Sequence, residues 1–159
     1  MIKSTDRQVY PGVYMALSTI YNKHYKPEHS SAVAAMVDMA MPVLKRILSL
    51  EHVDINVRVC PIKDKYTNGR YYNSTRTIWI DARNSVDRSL AVLCHEMVHA
   101  QQYASGRLTS FGNFSTWEGS IVAKTRPASY AAYRALPWEA EAFARQDKLA
   151  AIVAAEIMC

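Results

Sequence analysis

Five consecutive residues, His95-Glu96-Met97-Val98-His99, have the types and spacing to do chemistry. On a helix, residues four apart lie just over one turn apart and project from the same face. Two imidazole nitrogens can then meet at one metal ion. The intervening Glu96 falls beside that ion rather than on it, which suits a base that takes a proton from water activated by the metal. Cys94 precedes the first histidine, but on a helix it points about 100° away, so it reads as a small buried hydrophobe.

A catalytic metal of this kind usually has three protein ligands, so a third must come from elsewhere in the chain. His24, His29, His52, Glu118, Glu139 and Glu141 are available. The best segment is Leu136 to Ala142, which sets carboxylates in the first turns of a helix among small residues that let another helix approach. Glu139 and Glu141 are about 200° apart around that helix, so only one can face a metal. Glu141 shares its face with Arg145 and Lys148, an ion-pairing face, whereas Glu139 aligns with Phe143 and Gln146. Glu139 is therefore the expected ligand, with Glu118 ranked third and His52 close behind. A donor for a developing oxyanion is expected from Tyr130, Tyr133 or Arg134, just before that helix.

These residues need elements to hold them. Between Ser85 and Ser105 there is no Pro or Gly, and Val86, Leu90, Leu93, Met97 and Ala100 repeat at three and four. That pattern predicts an amphipathic helix capped by Ser85, ended by Gly106, with both histidines on the border of its buried stripe. Upstream, Pro11 to Tyr25 reads as a short helix. Val33 to Leu48 reads as a second, N-capped near Ser30 and Ser31 and kinked or broken near Pro42. Val53 to Val59 alternates as a strand, Lys63 to Gly69 is a polar loop with an Asn68-Gly69 turn, and Arg70 to Asn73 and Arg76 to Asp81 form two more strands. An edge of this sheet beside the motif helix could pair with an extended peptide. Gly106 to Thr125 is expected to be a long loop that covers the site. Pro127 to Ala135 reads as a short helix, and Pro137 starts a last helix with Ala142, Leu149, Ile152 and Val153 inward.

The whole predicts an α+β fold, with helices on a sheet of about three strands, in one domain over residues 1–159. Half of the residues are apolar, enough for a continuous core. Cys60, Cys94 and Cys159 are odd in number and unevenly spaced, which indicates neither a disulfide framework nor a cysteine metal site, and suits a reducing cytoplasm. The amino terminus leads into no apolar secretory segment, and Ser31 to Leu50 is too interrupted to span a bilayer, so no membrane association is expected. The net charge of +5 admits an acidic partner such as nucleic acid, but Lys and Arg are scattered and no nucleic-acid module is indicated.

The motif His95 to His99 with Ala100-Gln101-Gln102, and the later Glu139-Ala140-Glu141-Ala142, resemble the gluzincin-type HExxH zinc peptidases. The similarity is greatest to small bacterial and phage members related to the ImmA/IrrE and SprT-like groups. The resemblance implies a zincin-like fold around a central motif helix, a Zn2+ cofactor, and hydrolysis of a protein or peptide substrate in the cytoplasm, that of a host if the chain is phage-encoded. It also implies that the first glutamate of the ExEA segment, Glu139, is the ligand. Relatives often carry Asp or Asn four residues later, where this chain has Phe143, and no third histidine follows His99. Two other readings compete. One is a non-catalytic, zinc-stabilised binding, phage structural or host-interaction protein, in which Glu96 has no use. The other is a DNA-associated protease, which calls for a basic cleft.

Overall fold

A computed structural model describes residues 27–123 and 126–159, so the expected helix from Pro11 to Tyr25 lies outside the described residues. The architecture is α+β. Helix α1 runs over Pro27–Ile47, strands β1, β2 and β3 over Asn56–Cys60, Gly69–Tyr72 and Thr77–Asp81, and helix α2 over Val86–Ala104. Strands β4, β5 and β6 follow at Leu108–Phe111, Phe114–Trp117 and Ser120–Ala123, then helices α3, Tyr130–Arg134, and α4, Pro137–Ile157.

Helix α1 buries Val33, Val37, Ala40 and Leu44, the three-and-four stripe expected of it, against α2, α4 and β1, and Leu48 just past its end is buried as well. The described helix already includes Pro27 to Ser31, so the serine pair lies inside it rather than capping it. It also continues through Pro42 instead of breaking, since a fully buried apolar face on both sides of the proline outweighs one lost hydrogen bond.

The first sheet has the order β1-β3-β2, with β1 parallel and β2 antiparallel to β3. The strand Thr77–Asp81 is thus the centre, with Ile78 and Ile80 fully buried, and β2 is an edge. Gly69 is not in a turn, as its pairing with Asn68 suggested, but is the first residue of β2, opposite Ile80. A Cβ there would fall well inside contact distance of Val92 Cγ1 on α2 and 3.0 Å from the Trp79 carbonyl oxygen, so the missing side chain lets α2 lie close on the edge strand.

The stretch after Gly106 is not a loop. It is a second antiparallel sheet, β4-β5-β6, in which Leu108 faces Trp117 and Phe111 faces Phe114. Two tight turns make it, one with Gly112 at φ +55° and one with Glu118 at +50° and Gly119 at +86°. Its strands were hard to read because neither face is wholly apolar: only Leu108 is buried in β4, and β5 is half-buried throughout. Arg107 anchors this sheet to the final helix through Glu118 and Glu141, and its guanidinium lies 4.5 Å over Trp117. In α4, Ala142, Leu149 and Val153 face inward as expected, but Ile152 is 38 % exposed, since it falls at the edge of that stripe. No helix among the described residues is long and apolar enough to cross a membrane.

Candidate metal centre

Helix α2 begins as its sequence dictates. The Ser85 side chain accepts from the Arg88 N–H, Asp87 lies in the positive first turn, and the helix ends before Gly106 at φ +73°. Packing of α1, α4, β2 and β3 around it buries His95, Glu96 and His99 to less than a tenth of their free exposure. Helix α4 starts at Pro137 and carries Glu139 in its first turn, where the helix dipole favours a carboxylate.

The two helices bring three groups together. The Nε2 atoms of His95 and His99 are 3.2 Å apart, Glu139 Oε2 is 3.2 Å from His95 Nε2, and Glu139 Oε1 is 3.4 Å from His99 Nε2. These three side chains are a buried group able to bind a metal ion. The alternatives lie elsewhere. Glu141 pairs with Arg107 and Arg145, Glu118 pairs with Arg107 in the β5-β6 turn, and His52 is exposed after α1. His24 and the side chain of His29 lie outside the described residues.

The histidine tautomers follow from two glutamines. Gln102 Nε2 donates to the Trp138 carbonyl at 3.0 Å, which leaves its Oε1 to face His99 Nδ1 at 2.8 Å. Gln146 Nε2 donates to Asp147 Oδ1, which leaves its Oε1 to face His95 Nδ1 at 3.0 Å. A carbonyl and a carboxylate can only accept, so both amides have one orientation. Each Nδ1 must then carry the hydrogen, and in the neutral rings each Nε2 offers its lone pair to the centre. Phe143, one turn after Glu139, sets its ring 4.6 Å from that of His95, and Gln146, about one turn further, is the polar partner of that ring. Both glutamines were missed as functional residues, although Gln102, three after His99, and Gln146, seven after Glu139, share faces with those residues.

The electrostatics reflect three polar groups pressed together. Burial alone would push the Glu139 carboxyl up, but hydrogen bonds from His95, His99 and Tyr133 hold it at about 2. Burial opposes charge on His99, yet the Glu139 and Glu96 carboxylates and Gln102 raise it to about 9. Glu96 shifts upward through burial, against both histidines and the Tyr71 backbone N–H that donates to it from the edge strand. The expected oxyanion donors divide. The Tyr133 hydroxyl hydrogen-bonds Glu139, and its pKa is raised by burial and by that carboxylate. Tyr130 is mainly exposed and stacks on Tyr133, and Arg134 lies 4.2 Å over the Phe143 ring, so neither makes a polar contact with the centre. A cleft of about 800 Å³ opens over the three groups, with Glu96 and Tyr133 in its wall.

Residues 15–118 match the model of a family described as Putative metallopeptidase family (DUF6782). The chain belongs to this family. The matched span contains the first sheet and all of α2, and it stops short of α4, so the metallopeptidase assignment and the position of Glu139 are independent observations. No curated protein and no solved structure matches the chain.

Proposed function

We propose that this metallopeptidase family member is a gluzincin-type zinc peptidase with one zincin-like domain built round α2, with His95, His99 and Glu139 as ligands and Glu96 as general base. The observation that carries this is that His95 Nε2 and His99 Nε2 lie 3.2 Å apart with the Glu139 carboxylate spanning them, Oε2 3.2 Å from the first and Oε1 3.4 Å from the second, so that one ligand atom from each residue lies within 4.8 Å of the others. Two nitrogens about 2.0–2.1 Å from a tetrahedral zinc lie about 3.3–3.4 Å apart, close to the spacing of the two histidines. Two imidazole nitrogens with lone pairs and one carboxylate also suit zinc in type. When bound, zinc supplies Lewis acidity, lowering the pKa of water toward about 7 and polarising a carbonyl.

The chain's own residues do the rest. Residues 69 and 71 of β2 alternate with the positions whose backbone groups hydrogen-bond to β3, so their own backbone groups turn to the other side, where Tyr71 N–H bonds Glu96. A peptide laid along this edge is held by its backbone beside the centre. Glu96, raised toward the working pH by burial, accepts a proton from the attacking water and delivers it to the leaving amine. Tyr133 is the best-placed donor to the oxyanion, with Tyr130 packed behind it. The substrate is a protein or peptide.

The test is metal content and peptide hydrolysis of wild type beside three variants. Glu96→Gln is expected to keep zinc and lose hydrolysis, while His95→Ala and Glu139→Ala lose zinc. Hydrolysis by Glu96→Gln at the wild-type rate would overturn the mechanism, and full zinc in Glu139→Ala would overturn the ligand set.

A further inference from the structure

The walls of the cleft are unevenly charged. Arg70 on β2, Arg88 in the first turn of α2, Arg126 after β6 and Arg134 at the end of α3 all line it. All four residues are exposed, and none has a carboxylate of the described residues within ion-pair distance. Elsewhere the pattern is different: Arg46, Arg83, Arg107 and Arg145 are each paired with Glu156, Asp81, Glu118 and Glu141, or Glu141. Of the described arginines without such a partner, only Arg58 and Arg76 lie away from the cleft.

The carboxylates in the cleft offset only part of this charge. Glu96 and Glu139 belong to the buried centre. The third, Asp64, accepts from the Tyr66 N–H at 2.9 Å and the Thr67 hydroxyl at 2.8 Å and interacts at longer range with Arg70 and Arg126, which leaves Arg88 and Arg134 as the cations of the cleft least offset. Position also matters. Arg88 is seven residues before His95 on one face of α2, about 10 Å along the helix axis. Arg134 lies over Phe143, whose ring adjoins that of His95, so a guanidinium stands one ring away from the centre. Cations therefore stand in the same cleft as the reacting position.

We propose that the cleft selects acidic peptides, with Arg134 and Arg88 as specificity-determining residues that receive Asp or Glu side chains of the substrate and Arg70 and Arg126 adding to the field. This rests on the peptidase reading for what happens to the bound chain. A peptide is favoured over nucleic acid because the adjoining edge strand offers backbone groups that only a peptide can match.

The experiment uses fluorescein-labelled, C-terminally amidated decapeptides that differ only in carrying Glu, Gln or Lys at four positions. Binding to the zinc-loaded Glu96→Gln protein is read by fluorescence anisotropy, and kcat/KM is read on wild type with quenched versions. The Glu peptide is expected to bind about tenfold or more tighter than the Gln peptide, and the Lys peptide more weakly than either, with the gap narrowing at high salt. In the Glu96→Gln background, Arg88→Gln and Arg134→Gln should each weaken the Glu peptide about two- to fivefold and leave the Gln peptide unchanged, and Arg58→Gln should do neither. Arg88→Gln should melt with its parent, and Arg134→Gln within a few degrees of it, since it gives up one guanidinium–ring contact over Phe143. Equal binding and turnover of Glu and Gln peptides would overturn the proposal. So would a single-stranded oligonucleotide that displaces the Glu peptide at a lower concentration than unlabelled Glu peptide does. If the Glu peptide binds selectively but wild type cuts none of the three, the peptidase reading fails and the carboxylate selectivity stands.

Discussion

Gly69→Ala is a test of whether the edge strand and the motif helix are held at one fixed separation. An added Cβ would collide with Val92 Cγ1, approach the Trp79 carbonyl to 3.0 Å and lie 3.6 Å from Glu96 Cγ. The carbonyl belongs to the central strand and cannot retreat. Val92 is β-branched and held to one rotamer on a helix, so α2 must move away from β2. Overpacking of this kind costs about 1–3 kcal/mol, or about 2–12 °C in Tm for a domain of this size. Activity should fall further than stability, because Glu96 is one turn beyond Val92 and a displacement of about 1 Å can cost about a hundredfold in rate. Zinc should stay bound, since neither histidine nor Glu139 touches Gly69. The assay is thermal unfolding by circular dichroism, zinc content and peptide turnover on Gly69→Ala, Val92→Ala and the double variant. Removing Cγ1 vacates the space that the new methyl needs, so the double variant should be more stable than the sum of the singles by about 1 kcal/mol or more. Strict additivity, or a Gly69→Ala protein as stable and active as wild type, would refute the close-approach argument.

Other outcomes follow from the site and its supports. Gln102→Leu and Gln146→Leu should each weaken zinc binding about 10- to 100-fold in a chelator competition, because each frees one histidine ring to turn or change tautomer. Saturating zinc at about a thousand times its Kd should raise Tm by an amount equivalent to about 4 kcal/mol, and His95→Ala should abolish the rise. Burial pushes the Glu141 carboxyl up, but Arg107 and Arg145 outweigh it and hold its pKa below the ordinary 4.5. A depressed folded pKa stabilises fully above the unfolded value and is lost as pH falls through the folded one. Glu141→Gln should thus lower Tm at pH 7 by the equivalent of about 1 kcal/mol or less, and its gap from wild type should close below about pH 4.5 in melts taken across pH.

The local geometry of the site was legible in the chain because it is governed by helix periodicity. The spacing of His95 and His99, the cap at Ser85, the stop at Gly106 and the opposite facing of Glu139 and Glu141 all depend on arrangement within one helix, and each of these placements appears in the structure. Long-range packing decided the rest. Whether Glu139 reaches the histidines depends on how α4 lies across α2, and no pattern within either helix specifies a crossing. Which strand is the edge depends on the parallel pairing of β1 with β3 across the intervening β2. Gly69 looked like turn chemistry because its reason for being glycine is a methyl on another element. The sheet from Leu108 to Ala123 escaped notice because its short strands bury little, so their alternation carries almost no hydrophobic signal; its registers come from turns and cross-strand pairs instead. Arg88 and Arg134 read as scattered charge along the chain and become a pattern only when folding sets them around one cleft.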